Sequence, residues 1–546
     1  MPTRLRRALG GFDFADLLLF AVPMLCIFPL RNNDLWWHLA SGRAMVEQHG
    51  FLHGDPFSFT RFMGDWVDNA WLSQLCFYVT WRLGGNFGLV ILRACLYTGV
   101  FLVVRSLLRA GRRPGAFFPC LVIGIALSYG WWELRPSTFS MLGTLLLLRV
   151  LEHVRRSGRG FVAFPFLFLV WASLHPGFLF GLCVLTGTVA ALYLEAFIPH
   201  WPRWTTDDAT RNKLAAWTGA SILATLINPY GWRVYSEQFS ITHNVAFRAV
   251  LDEWTPPSVL FLVLVMLTVG AFAVARTRRV PLAAWVTILG AAALATTGVR
   301  FAEYFALAAV PMMAIHLGPS RGMILRRAFV PALCALSIVV GLQSPLSVTI
   351  REGQPGMERA DPVEQRLEGR IQRNALLIGV VMAGGLIAAA FHRPRRGRWL
   401  LRRLRSRARA SALVAALLFT ALLTWNAPRA GWMPEGYVEP DRYPEHCLSS
   451  LVGENRQVFN RLSWGGWLIW KLRQKTFIDG RGWGQPLFLD YLACYGRERR
   501  EVFDKHHIDA VVVPRGDAIA TELSREPDWE LTCADAVAVV YTRRAH

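Results

Sequence analysis

Charge is scarce in this 546-residue chain. Asp, Glu, Lys and Arg make up 18% of it, against about 25% in average soluble domains. With 53% hydrophobic residues, 22 Trp and 34 Phe, this excludes a disordered chain and an ordinary soluble enzyme. Cysteines are few, nine in all, with no C-x-x-C pair and no zinc-ligand spacing. That excludes a disulfide scaffold and a zinc module. No repeat of solenoid period is present, and the C-terminal part has neither a nucleophile elbow nor a phosphate loop. The first apolar run has no A-x-A cleavage site after it and reads as a retained anchor.

What the chain does have is apolar runs of near-membrane length between arginine clusters. We read about thirteen spans: 16–30, 88–108, 116–130, 137–151, 161–174, 178–197, 214–227, 258–275, 280–297, 302–316, 327–343, 375–391 and 411–424. Pro176-Gly177 either turns the chain between two spans or kinks one long helix. The predicted fold class is mainly α, a polytopic transmembrane helical bundle over 1–424, with a small α/β domain over 425–546.

The net charge of +21 lies among the spans. Residues 425–546 hold 16 basic and 17 acidic residues, so the excess belongs to 1–424 and reads as a topology signal, not a nucleic-acid surface. Arg4/Arg6/Arg7, Arg112/Arg113, Arg155/Arg156, Arg276/Arg278/Arg279 and the nine arginines from Arg393 to Arg409 fall on one side. The N-terminus is therefore expected in the cytoplasm and the C-terminal domain outside. Six cysteines lie in or beside spans. Cys447, Cys494 and Cys533 lie in the outer domain, where an oxidising compartment permits one disulfide.

This threading puts the unusual polar residues on one face. The first outer loop, residues 31–87, carries Asp34, His38, Asp55 and Asp68 among tryptophans. Later outer turns bring Glu133 and Arg135 (WWELRP), His175 (LHPG), Asn228 (NPYG), Glu253 (DEWTPP) and Arg300 (GVRFAEY). Each has an ordinary structural reading. Glu133 and Arg135 can pair with each other, His175 can cap a helix, Asn228-Pro229 can end a span, and Arg300 can snorkel. Their convergence at several span ends is what points to a site.

Asp34 and His38 are four residues apart and share a helix face. Residues 35–49 read as an amphipathic helix in the interface, with Trp36, Leu39, Ala40 and Val46 toward lipid. An acid at the water–lipid boundary can take a proton from a hydroxyl while one end of a substrate stays in lipid. An arginine nearby can hold a phosphate oxygen.

The order DLWWHLASG, DPFSFT, RPSTFS, WASLHPGF, NPYG, EWTPP and FIDGR resembles that of bacterial multispanning proteins of the glycosyltransferase C superfamily. Relatives include protein O-mannosyltransferases, aminoarabinose transferases and oligosaccharyltransferases. The resemblance implies an inverting sugar transfer from a polyprenyl-phosphate donor to an acceptor (lipid, protein or polysaccharide) at the outer face of the bacterial cytoplasmic membrane. An acid early in the first outer loop, here Asp34, acts as base or positions the acceptor. Many relatives have Asp-Glu there; this chain has Asp34-Leu35, so Asp55 and Asp68 stay open as the working acid. Arg135 and Arg300 are the candidates for the lipid phosphate. No organic cofactor is implied. Some relatives use a divalent cation, Mg or Mn, for which the sequence offers acids but no dedicated ligand set.

In the outer domain, apolar runs alternate with helix-like stretches and end in a hairpin turning near Ala534-Asp535. Asp479-Gly480-Arg481 reads either as a turn with its own side-chain pair or as an acceptor contact. Two competing functions are a transporter or flippase of lipid-linked glycans and a non-catalytic envelope assembly protein. A transporter should carry inverted repeats or paired broken helices, which the sequence does not clearly have.

Overall fold

The computed structural model describes residues 21–61, 66–205, 207–243, 257–276, 280–317, 433–439, 442–447, 456–481 and 485–544, with the single residues 19, 64 and 451. The expected spans 327–343, 375–391 and 411–424 lie outside them, as does Glu253. Among the described residues, Trp71–Ala110, Pro114–Trp131 and Phe178–Phe197 are long and apolar enough to cross a membrane. Shorter apolar helices occupy Ala163–Leu174, Val259–Val274 and Leu282–Thr296.

After a short helix α1 (Ala21–Leu25), α2 covers Asp34–Glu47 and α3 covers Trp71–Ala110. Gly85 breaks α3 with a left-handed φ of 57°, a conformation open to glycine and strained for other residues. Residues 71–87, expected within the first loop, are therefore helical. The bundle continues with α4 (Phe117–Ser128), α5 (Ser137–Ser157), α6 (Ala163–Leu174), α7 (Phe178–Phe197), α8 (Asp208–Thr225), α9 (Arg233–His243), α10 (Val259–Arg276) and α11 (Leu282–Thr296). Pro176-Gly177 turns the chain between α6 and α7 instead of kinking one helix. Helix α5 stops at Gly158, which is left-handed (φ 61°), after Arg155 and Arg156 pair with Glu152 at 2.8 and 2.5 Å. Residues 302–316 pass through a π-helical stretch at Phe305–Ala309.

The C-terminal domain is α/β. Its strands β1 (Val458–Asn460), β2 (Ala510–Pro514), β3 (Trp529–Ala534) and β4 (Ala538–Arg543) lie in the order β1-β2-β4-β3. β1 and β2 are parallel, with Asn460 opposite Val512, and β3 and β4 form the hairpin the sequence predicts. Helices α12 (Leu462–Leu472), α13 (Gln485–Ala493), α14 (Arg499–Lys505) and α15 (Ala518–Leu523) cover the sheet. Cys447 and Cys533 form a disulfide, and Cys494 is free and buried.

The apolar packing joins what the sequence separates. One buried cluster holds Leu35, Trp36 and Leu39 of α2, Phe77 and Tyr78 of α3, and Trp467, Val512 and Val540 of the outer domain. Trp36, Leu39 and Ala40 are thus buried in protein rather than turned to lipid, and Val46 is exposed. The amphipathic reading of α2 assigned its apolar stripe to the bilayer. The stripe instead packs on α3 and α12, because an outer domain rich in tryptophan offers a closer-packed partner. Backbone pairing adds to this. Leu30 accepts from Glu439 and donates to Tyr437, and across a short parallel bridge between Ser58 and Thr476 the Phe59 amide donates to the Thr476 carbonyl and the Thr476 amide to the Phe57 carbonyl.

Candidate functional site

Asp34 begins α2, where a carboxylate favours the helix N-terminus. Its Oδ1 lies 3.3 Å from Trp37 Nε1, and its amide donates to Asn32 Oδ1 at 2.9 Å. The carboxylate is half-buried, against Gly480 of the outer domain. A Cβ at Gly480 would overlap Asp34 Oδ1, so any other residue there would push the carboxylate out of this place. Gly466 approaches the carbonyl of Asn33 and the amide of Trp37 in the same way, at 2.9 and 3.2 Å from where its Cβ would stand.

His38 lies one turn further, its ring tilted by 37° against Trp37 with centroids 3.6 Å apart and edge-on to Phe77. Burial, His175 and Arg135 all push its pKa well below the usual imidazole range. It is therefore neutral at physiological pH. It acts as a buried neighbour of the site, not as a cation beside Asp34. Its Nδ1 finds no hydrogen-bond partner among the described residues.

Asp55 and Asp68 stand in different surroundings. Asp55 is buried and meets Arg481 at 2.5 Å, the Phe57 amide at 2.9 Å and the Ser58 hydroxyl. Its oxygens thus join the first loop to the FIDGR turn. Asp68 is also buried. Its Oδ1 accepts from Gln74 Nε2 at 2.6 Å and the Ala70 amide at 3.3 Å. Burial pushes its pKa up to about 7 against those hydrogen bonds. Its Oδ2 has no partner among the described residues.

The outer turns bring charge to the same rim. Glu133 pairs with Arg31 at 2.8 Å and with Arg135 at 3.8 Å. Burial pushes its carboxyl up, but Arg31, Arg135 and Arg442 outweigh that and hold it ionised below the usual range. Three guanidiniums therefore face one carboxylate. Arg442 comes from the outer domain, where its Nε donates to Asn33 Oδ1 at 3.2 Å. Arg300, on a 3-10 turn, lies over the Phe301 ring, and it and Arg135 are both in electrostatic reach of Glu303.

His175 Nδ1 accepts from the Gly177 amide at 3.0 Å and meets Ser140 Oγ at 2.8 Å. Trp171 Nε1 donates to the same Ser140 oxygen, which joins α6 to α5 beside the His175 turn. His175 thus orders the turn before α7, and both it and Arg135 lie in electrostatic reach of His38. Asn228 stands apart. Its amide bonds the Thr225 and Gly231 carbonyls and the Tyr230 amide, which is the span-ending turn of its structural reading.

The structure links His38 with His175 and Arg135, Glu133 with Arg31, Arg135 and Arg442, and both Arg135 and Arg300 with Glu303; Asp34 adjoins this set through its neighbour Asn33, which accepts from Arg442, and Asp55 is tied to Arg481. Arg31 and Arg442 are not singled out by the sequence, and Gly480 stands there only within the Asp479-Gly480-Arg481 motif, as a turn or an acceptor contact. Arg31, beside the first span, carries no motif, and Arg442 and Gly480 reach the site only through folding of the outer domain. Among the described residues no three His, Cys, Asp or Glu side chains come together as metal ligands. Asp55 is engaged by Arg481 and Glu133 by Arg31.

No protein-family model matches the chain, and no curated protein matches it in sequence. Solved structures do. ArnT from Cupriavidus metallidurans bound to undecaprenyl phosphate superposes with a TM-score of 0.52 at 14% identity, covering 100% of this chain and 98% of that one. The same protein in the apo state gives 0.51 at 13% identity, covering 96% of each chain. The Archaeoglobus fulgidus oligosaccharyltransferase in its apo form gives 0.48 at 11% identity, covering 92% of this chain and 69% of that one. The two ArnT superpositions run over nearly the whole of both chains, helical part and outer domain together. This chain has the glycosyltransferase C fold.

Proposed function

We propose that this protein moves a sugar from a polyprenyl-phosphate donor to an acceptor hydroxyl at the outer face of the bacterial cytoplasmic membrane. The observation that carries the reading is the cluster of Arg31, Arg135 and Arg442 around Glu133, with Arg442 also bonded to Asn33 beside Asp34, in a fold whose solved neighbour holds undecaprenyl phosphate. The N-terminus faces the cytoplasm and the disulfide-bearing outer domain faces the oxidising side.

The reaction is a single displacement. The acceptor oxygen attacks the anomeric carbon while Asp34 takes its proton. The bond from that carbon to the phosphate oxygen breaks, and the lipid phosphate leaves with the electron pair. Arg135 and Arg300 stabilise the charge that develops there. Attack opposite the leaving group inverts the anomeric centre. Arg31 serves indirectly: by neutralising Glu133 it leaves Arg135 to the phosphate.

The test is transfer from a panel of undecaprenyl-phosphate hexoses and pentoses by the purified full chain. Asp34→Asn should lower kcat by roughly 100-fold or more, as loss of a positioned base does. Wild-type turnover by Asp34→Asn at normal expression removes Asp34 from the role. No turnover of any donor by the wild type gives weight to a transport or assembly role.

A further inference from the structure

The first loop and the outer domain meet in a buried three-charge knot. Arg481 is buried, with Asp479 held at 2.8 Å by Nε and 2.5 Å by Nη2, and Asp55 held at 2.5 Å by Nη1. The Phe57 and Trp66 rings flank its guanidinium at 5.1 and 5.0 Å. The backbone is locked beside it. Thr476 donates to the Phe57 carbonyl at 2.9 Å, Phe59 donates to the Thr476 carbonyl at 3.2 Å, and Thr60 Oγ1 donates to the Phe477 carbonyl at 2.9 Å. Thr476 also bridges Val458 of β1, so residues 57–59 of the first loop lie at the edge of the outer sheet.

Between the two residues of this knot that come from the outer domain stands Gly480, and Gly480 is the wall against Asp34. Asn460 fixes the other side of the turn, with Nδ2 donating to the Ile478 carbonyl at 2.8 Å. We propose that Arg481 is a positioning residue for Asp34: by holding Asp479 and Asp55 at once, it sets the 479–481 turn and so the place and orientation of the Asp34 carboxylate. This inference rests on the reading of Asp34 as base.

The physical case is one of rigidity. A guanidinium in a fork with one carboxylate and bonded to a second has a single arrangement. Without it, two buried carboxylates face each other uncompensated, and the turn must move to let in water. Gly480 is one residue away, so a shift of the turn passes directly to Asp34. A displacement of about 1 Å at a reacting group costs on the order of 100-fold in rate.

The experiment uses the full chain and compares wild type, Arg481→Lys, Arg481→Gln, Gly480→Ala and Asp34→Asn. Amide hydrogen exchange is read at 33–38 and 55–60, with 137–157 as the internal control. Transfer is read with the undecaprenyl-phosphate sugar panel, and binding with undecaprenyl phosphate alone. We expect Arg481→Gln to speed exchange at 33–38 and 55–60 at least about tenfold and leave 137–157 unchanged. Its kcat should fall about 100-fold, while affinity for undecaprenyl phosphate, which Arg135 and Arg300 hold, stays within about twofold of wild type. Arg481→Lys should recover part of kcat. Gly480→Ala should lower kcat without loosening 55–60, and combining it with Asp34→Asn should cost no more than Asp34→Asn alone.

Should Arg481→Gln leave both kcat and the exchange at 33–38 at wild-type values while Asp34→Asn is inactive, Arg481 does not position Asp34. Should Asp34→Asn turn over normally, the reading of Asp34 fails separately, and exchange at 33–38 alone decides whether Arg481 orders that segment. If Arg481→Gln does not fold, Arg481→Lys and Gly480→Ala carry the same comparison.

Discussion

The Trp36 indole donates to the Tyr443 hydroxyl at 2.8 Å, across 407 positions of sequence. Tyr443 also stacks on Trp467 at 4.3 Å and donates to Asn33 Oδ1 at 3.0 Å, one residue before Asp34. The start of α2 is thus held by a side chain of the outer domain. Tyr443→Phe keeps the ring and deletes the hydroxyl, leaving the buried Trp36 N–H without its acceptor. An unsatisfied buried donor costs about 1–3 kcal/mol. Thermal unfolding in detergent should show a Tm lowered by a few degrees with the fold retained. A wild-type Tm would mean the pair contributes nothing.

Asp68 should make stability depend on pH. Its carboxyl stands at about 7 in the folded chain against 3.8 for a free side chain, through burial. Below pH 3.8 it is protonated in both states and contributes no difference. As pH rises from there to about 7, the unfolded chain releases a proton that the folded chain keeps, so stability falls. Above 7 both states are ionised and the loss is constant. Asp68→Asn removes the effect, so its Tm should rise relative to wild type between pH 5 and 8. A Tm difference that stays flat over that range would place Asp68 in contact with water.

What the sequence made legible was the material at span ends and its charge. Glu133, Arg135, His175 and Arg300 were readable because polar groups at the ends of apolar runs need a reason. The outer hairpin was readable from period-two runs on either side of Asp535. The Arg481–Asp55 pair was not, although both residues stood in motifs that drew notice. Their 426-residue separation leaves no local periodicity to join them. The same holds for α2. Its pattern said apolar on one side without saying which apolar partner, and lipid was the wrong choice because the partner is α12, more than 400 residues on. Asn228 was singled out as a site residue, yet its side chain closes its own turn. Asn-Pro supplies that turn chemistry without any ligand.

The disulfide should hold the outer domain together. Cys447 and Cys533 close a loop with a separation of 86 residues, and loss of a link of that size costs about 4.6 kcal/mol in the chain-entropy account. Cys447 lies just beyond Tyr443, while Cys533 belongs to β3. Breaking the link lets the Tyr443 segment leave the sheet. Cys447→Ser should lower the Tm and weaken the Trp36 contact. Digestion without reductant should recover the two cysteines on one linked peptide pair. Recovery of two separate thiol peptides from membranes would remove the bond.

Arg31 governs how much of Arg135 is left for a ligand. Arg31 lies 2.8 Å from Glu133, and Arg135 reaches the other Glu133 oxygen only at 3.8 Å. Arg135→Gln deletes a charge-assisted contact to phosphate, so the Kd for undecaprenyl phosphate should rise about 10- to 100-fold. Arg31→Gln should raise it too, without touching the lipid, because Glu133 then turns wholly to Arg135. Glu133→Gln works in the opposite sense: with the carboxylate gone, both guanidiniums are available and the Kd should fall. The sign of the Glu133→Gln effect separates this arrangement from a simple loss of packing, which would weaken binding in all three variants. A Kd that rises in Glu133→Gln would make Glu133 a direct partner of the ligand and Arg31 its structural support.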